Sequence, residues 1–268
     1  MTASALEFYV PGASWLHRLD PRVKLFAALL AGVVTFFWVN LPLLALALIL
    51  VHVVLLAAGY PGERLATAWR AISLLLILIV IVWPLFDHTG DVILRLGPVD
   101  ITDHGLLRGV ANALRIAVIN FLFVLWIGTT DARDLVRGFV RLGLPFRWGM
   151  ALTIALRFIP TYAGTWATIT DAQQARGLVL EGWWMKRARQ MLPILVAALV
   201  SALRTSEQLA MTLESRGFGA TRTRTVLRDI EMRAVDWIVL ITAVALAALL
   251  IWQTLFRGLG QALFALYA

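Results

Sequence analysis

Cysteine is absent from all 268 residues, so disulfides and thiolate metal centres are excluded. Charge is scarce: Asp, Glu, Lys and Arg make up 15% of the chain, against roughly 25% in an ordinary soluble domain. Four histidines, His17, His52, His88 and His104, are scattered, with no pair at the helical spacing a metal needs. No Gly-Lys dipeptide occurs, which removes the P-loop and nucleotide hydrolysis by that route. G-x-S-x-G and H-E-x-x-H are missing, and no apolar run contains clustered carboxylates. Catalysis has almost nothing to work with, and neither a metal nor another cofactor is expected.

Apolar residues, by contrast, make up 60% of the chain and gather in runs of 15 to 22. Runs of that length suit the ~30 Å hydrocarbon core of a bilayer, which takes ~20 helical residues to cross. The sequence therefore predicts an all-α, polytopic integral membrane protein. Five spans are expected: Leu25–Val39, Leu41–Ala58, Ile72–Phe86, Leu106–Ile127 and Val235–Phe256. Asn40-Leu41-Pro42 forms a tight reversal in which Pro42 opens the second helix. Glu7, His17, Arg18 and Asp20 precede the first apolar run, a pattern unlike a cleavable signal peptide.

Between the last two spans lies a block of different chemistry. Residues 129–233 hold 15 of the 24 Lys and Arg but only 8 of the 16 Asp and Glu, so the block carries +7 of the chain's +8. Its apolar stretches, Ala151–Leu156 and Leu192–Leu203, are interrupted by Arg157, Pro160 and Pro193, and read as too broken for certain spans. The crossings therefore number five, or up to seven. Three regions result: a membrane region over 1–128, a basic coupling-helix region over 129–233, and a last membrane helix over 234–268. Positive loops stay in the cytoplasm, which places the N-terminus and 129–233 inside and the acidic connection 87–105 outside. The bilayer is the expected surrounding, in the cell membrane, and no nucleic-acid partner is expected.

Within the block, Arg133, Arg137 and Arg141 fall on one helical face, with Leu135, Phe139 and Leu142 on another. Asp131 stands as N-cap, and Gly143-Leu144-Pro145 as the stop. Such a basic amphipathic helix suits anionic lipid headgroups. In the span 106–127, Arg108 is placed to snorkel outward. Arg115 lies roughly 10 Å deeper and should face protein or water, as structural packing or as a partner contact. Asp236 at the head of the last span reads as an interfacial charge rather than a proton relay.

One pattern recurs. Ala175-Arg176-Gly177 and Ser215-Arg216-Gly217 each end a helical stretch with small-Arg-Gly. Taken singly, each is an ordinary helix terminus, with glycine turning the chain and arginine facing the negative end of the helix dipole. Two copies in one basic block offer something more: two planar guanidinium forks, each able to enter an acidic groove on another protein.

The opening Ser14-Trp15-Leu16-His17-Arg18-Leu19-Asp20-Pro21-Arg22-Val23-Lys24-Leu25 is similar to the S-x-L-H-x-L-D-P-R-x-K start of the first helix in the transmembrane coupling subunit, or T component, of energy-coupling factor (ECF) importers. Thr129-Thr130-Asp131 and Leu152-Thr153-Ile154-Ala155-Leu156-Arg157-Phe158-Ile159-Pro160 also resemble that family. So do Ala172-Gln173-Gln174-Ala175-Arg176-Gly177 and Glu214-Ser215-Arg216-Gly217-Phe218, where the family more often has Ala than Ser215. The resemblance covers most of the chain. It implies that Arg176 and Arg216 each dock one of two ABC-type ATPase subunits. It also implies a small membrane S component that binds the vitamin or metal ion and packs on the coupling helices. The chain itself would be non-catalytic, with ATP hydrolysis left to its partners. The stretch 156–160 resembles the shared, vitamin-type form rather than the dedicated cobalt/nickel form. A membrane-spanning permease of a conventional ABC importer is the alternative, though it would carry one coupling helix rather than two Arg-Gly termini. An integral-membrane lipid enzyme would need interfacial Asp, Glu or His clusters, which the sequence does not offer.

Overall fold

The computed structural model describes residues 9–10, 12, 14–87, 89, 91–96, 99–218 and 232–263. Glu7, His88 and the 219–231 part of the basic block lie outside these, as do the side chains of Arg95 and Asp100. In chain order the helices are α1 (Pro21–Phe37), α2 (Leu41–Ala57), α3 (Gly62–Val82), α4 (Asp103–Gly128), α5 (Ala132–Arg141), α6 (Phe146–Ala175), α7 (Trp184–Gln190), α8 (Leu192–Ser215) and α9 (Ala234–Arg257). The protein is an all-α polytopic membrane protein. Among the described residues its strands are β1 (Val92–Leu96) and β2 (Val99–Thr102), an antiparallel hairpin pairing Leu96 with Val99 and Val92 with Thr102. Two compact units divide the described residues: 9–145 with 232–263, and 146–218.

Local chemistry sets the helix starts. Asp20 caps α1 by accepting from Arg22 N–H, and Pro21 occupies the first turn, where its missing donor costs nothing. Asn40 caps α2 through Leu43 N–H, Thr102 caps α4 through Gly105 N–H, and Asp131 caps α5 through Arg133 N–H. The helix of the third span begins at Gly62, ten residues before the expected Ile72, so Glu63, Arg64 and Arg70 are helical rather than a loop. Pro61 stops the preceding turn, and a charged first turn extends a helix without cost once it leaves hydrocarbon. Pro160 does not break the chain, contrary to the reading of 151–156 as interrupted: α6 runs through it for 30 residues. Pro193 sits in the first turn of α8 and leaves its 24 residues continuous.

Among the described residues, four helical stretches are long and apolar enough to cross a membrane: Gly62–Leu85, Asp103–Gly128, Trp184–Ser215 and Ala234–Arg257. Two contain the expected spans 106–127 and 235–256, and Gly62–Leu85 holds all of the expected span 72–86 except Phe86. The fourth contains the stretch 192–203 that looked too broken. The first two expected spans are helices of 17 residues each, about 25 Å long at 1.5 Å per residue.

In the first unit α4 is central. Gly105, Gly109, Ala113 and Ala117 recur every fourth position and are all buried. This small-residue stripe lets neighbouring backbones approach where no hydrophobic effect drives association. A Cβ on Gly109 would stand 3.2 Å from Val80 O of α3, and one on Gly105 2.6 Å from Asp87 O. Below this, Val51, Leu55, Tyr60, Leu65, Val118, Phe121 and Leu122 form a core joining α2, α3 and α4. His52 belongs to this core: its Nε2 accepts from Trp69 Nε1–H at 3.1 Å, and its Nδ1 faces Leu48 O at 2.8 Å.

The short α1–α2 reversal is closed by the segment after α9. Val39 and Asn40 N–H both donate to Gly260 O, Leu41 N–H to Leu263 O, and Asn40 Nδ2 to Ala262 O. Gly260 is required there: its φ is +77°, and a Cβ would stand 2.7 Å from Trp38 Cδ1.

Candidate functional site

The second unit is built from α6, α7 and α8. Phe146, the first residue of α6, stacks near Phe218, just beyond the end of α8, with ring centroids 6.3 Å apart. The two long helices are thus antiparallel. The C-terminus of α6 and the C-terminus of α8 therefore lie at opposite ends of the pair, roughly 40 Å apart along the length of α6.

Those two ends close in the same way. Gly177 N–H donates to Gln174 O at 2.9 Å and Leu178 N–H to Gln173 O at 3.0 Å. Gly217 N–H donates to Glu214 O at 2.9 Å and Phe218 N–H to Leu213 O at 2.9 Å. Both are Schellman closures, with left-handed glycines at φ +91° and +70°. Each leaves its arginine, Arg176 or Arg216, at the last half-helical position. Ala175 and Ser215 precede them as the final helical residues. Small side chains here leave the arginine uncrowded, and the Ser215 hydroxyl turns back to Thr212 O at 3.0 Å. Helix α5 ends with the same pair of bonds, Gly143 N–H to Val140 O and Leu144 N–H to Phe139 O, but with Leu142 at the cap. The closure is therefore a general device of this chain, and arginine is what distinguishes the two copies. Both guanidinium groups are exposed, and among the described residues neither has an ion-pair or side-chain hydrogen-bond partner.

Apolar surface accompanies the cations. Leu192, Leu195, Val196, Leu199, Val200 and Leu203 of α8 are 44–58% exposed, and Leu152, Ile159 and Trp166 of α6 are likewise open. Only Gly149 and Ile194 are buried in these two helices. A helix pair with this much uncovered apolar surface needs lipid or another protein against it.

In the first unit, Val136 and Gly138 of α5 are buried, and a Cβ on Gly138 would lie 3.5 Å from the Arg22 stem. Arg137 pairs with Asp134 at 2.8 Å, and Arg133 remains exposed. Arg108 makes an ion pair with Asp87 at 2.8 Å. Arg115 turns toward the helices: Nη1 donates to Asn112 Oδ1 at 2.7 Å, and Nε and Nη2 both donate to Trp38 O. Trp38 caps the end of α1, so its carbonyl has no helical partner and accepts from the guanidinium instead. Asp236 is buried within the protein and bonded to two backbone N–H groups. Nothing in the sequence marked Trp38 O or the Asp20 N–H as partners of these charges. Among the described residues no group of three His, Asp or Glu could hold a metal.

Comparison with known proteins gives a consistent picture. Residues 12–227 match the family described as CbiQ, cobalt transport protein. The energy-coupling factor transporter transmembrane protein EcfT of Listeria innocua is 32% identical over 253 residues, covering 91% of this chain and 96% of that protein. EcfT of Bacillus subtilis is 30% identical over 251 residues, covering 90% and 95%. A Bifidobacterium longum protein named as an ABC transporter ATP-binding protein is 34% identical over 248 residues, which are 89% of this chain but 32% of that one.

Proposed function

The chain belongs to the CbiQ/EcfT family of energy-coupling factor transporter transmembrane proteins, and on that premise we propose that it couples two ABC-type ATPases to a substrate-binding membrane S component through Arg176 and Arg216. The observation that carries this reading is the pair of identical closures at opposite ends of one antiparallel helix pair, each presenting an exposed arginine with no ion-pair or side-chain hydrogen-bond partner among the described residues. Two well-separated cations on one rigid element suit two ATPases that move relative to each other. The Bifidobacterium relative supports an ATPase neighbour, since the matching segment there is about a third of a protein named for ATP binding.

In this reading 129–233 is cytoplasmic, 1–128 and 234–268 form the membrane region, and the uncovered apolar face of α6 and α8 receives the S component. The transported solute is a vitamin or metal ion bound by that component. ATP hydrolysis resides in the partners, and this chain transmits motion. Coupling is reciprocal: an arginine moved by nucleotide must alter affinity for the S component by the same free energy. The test is co-purification of ATPases and solute uptake for Arg176→Ala, Arg216→Ala and the double variant. A double variant that assembles and transports normally refutes the reading.

A further inference from the structure

The segment between the two arginine termini has a chemistry that docking of ATPases leaves unused. Trp183 and Trp184 are 67% and 64% exposed, packed edge to face at 5.3 Å, and Met185 beside them is 53% exposed. At about 100° per residue, Trp184, Met185 and Ala188 share one arc of α7. Lys186, Arg187 and Arg189 occupy the remainder, with Arg187 and Arg189 at its two margins. All three cations are exposed, and among the described residues none has an ion pair or a side-chain hydrogen bond. Glu181, also exposed, is the nearest acid in sequence, so the segment remains strongly basic.

Position gives this arc its meaning. Trp184 opens the apolar helical stretch Trp184–Ser215. Its strongly apolar part begins at Leu192, directly after the cations. Tryptophans at the boundary of an apolar stretch, with lysine and arginine flanking them, match the headgroup layer: rings sit among the upper acyl chains and cations reach the phosphates. An acidic groove on a soluble protein would pair the cations but leave two indoles in water.

We infer that Trp183, Trp184 and Met185, with Lys186, Arg187 and Arg189, form an interfacial anchor that binds the anionic phospholipid surface of the inner leaflet. The inner-leaflet assignment rests on the cytoplasmic placement of 129–233 proposed above. The anchor holds the α7 end of the helix pair at the membrane surface, beside the Arg176 terminus. Motion delivered at Arg176 is then taken up against a fixed pivot rather than a free hairpin.

The native chain lacks cysteine, so a single probe can be placed cleanly. Full-length Trp183→Cys, carrying an environment-sensitive dye, is reconstituted in vesicles of phosphatidylcholine alone or with phosphatidylglycerol added. The expected result is blue-shifted emission, quenched by bromine-labelled lipid tails, that strengthens with phosphatidylglycerol. High salt and the further change Lys186→Gln/Arg187→Gln/Arg189→Gln should abolish the dependence on anionic lipid. A dye at Gln174→Cys should remain water-like throughout. A probe at 183 that stays water-like in both vesicles overturns the proposal. So does one that becomes apolar only when an ATPase is added, which would assign the surface to protein. Emission that is apolar but indifferent to phosphatidylglycerol overturns the charge recognition. Both leaflets of the vesicles carry the same lipid, so this outcome is independent of sidedness, which labelling at position 180 in intact cells reports separately.

Discussion

Asp236 accepts the backbone N–H of Asp20 at 2.9 Å, joining the first helix to the last across almost the whole chain. Its second oxygen accepts Arg233 N–H at 2.8 Å and so caps α9. Asp20 meanwhile holds Arg22 through both carboxylate oxygens, at 3.1 and 3.0 Å. One carboxylate thus starts α1, another starts α9, and a single bond ties the two starts together.

Asp236→Ala removes two charge-assisted acceptors and leaves the buried Asp20 N–H and the part-buried Arg233 N–H without partners, at a cost of roughly 3 kcal/mol. Asp236→Asn keeps one acceptor and should lose about half as much. Thermal unfolding in detergent checks this. Equal stability of Asp236→Ala and the native chain would contradict the proposed role.

Arg115 is the only donor to Trp38 O among the described residues, and the start of α1 is tied to α4 in the same way. Lys24 Nζ donates to Thr129 O at 2.9 Å. The two contacts stand equally far apart on both helices, so α1 and α4 run antiparallel, in step over roughly 20 Å. Arg115→Met should cost about 2 kcal/mol by orphaning the carbonyl. Arg115→Lys should recover part of this with a single donor. Melting temperatures of the three proteins decide it.

The Thr89 hydroxyl, which donates to Asp87 at 2.6 Å, and then Arg108 hold the Asp87 carboxyl below its ordinary value of 3.8, at about 2. A depressed folded value means stability that is present above about 4 and lost as pH falls toward about 2. Hydrogen exchange in 91–103 should therefore accelerate over that window. Asp87→Asn should flatten the pH dependence. Unchanged dependence in that variant would exclude Asp87 as the titrating group.

At the paired arginines, truncating one partner of a buried charged contact costs roughly 2–5 kcal/mol, or about 30- to several-thousand-fold in affinity for that site. Two anchors on one scaffold raise each other's effective concentration. Single variants should therefore retain some complex and the double variant little. Arg176→Lys and Arg216→Lys keep the charge but not the planar fork, and should fall between native and Ala. Co-purified ATPase per mole of this chain measures the order.

Orientation is checked by single cysteines in the cysteine-free chain. Position 180 should resist a membrane-impermeant reagent in intact cells, and position 95 should react. The reverse pattern would invert the proposed topology.

Several features were legible in the sequence because they depend on neighbours in the chain. Apolar runs of bilayer length, the caps at Asp20, Asn40 and Asp131, and the glycine stops at Gly143, Gly177 and Gly217 are all local chemistry. The small-residue stripe of α4, at every fourth position from Gly105, is local in the same sense. Pro160 and Pro193 misled for a physical reason. A proline costs a helix one bond, which a long helix absorbs or a first turn never had to make.

What only the tertiary structure decided is which distant groups meet. Residue types at Asp236 and Arg115 announce that a buried charge needs a partner, but both found backbone groups, which every residue carries and no sequence pattern marks. The antiparallel pairing of α6 and α8 likewise sets the two arginine termini at opposite ends, a separation that 40 residues of chain could have made long or short. Local chemistry determined that each terminus would present an arginine. Packing between helices determined where each one stands.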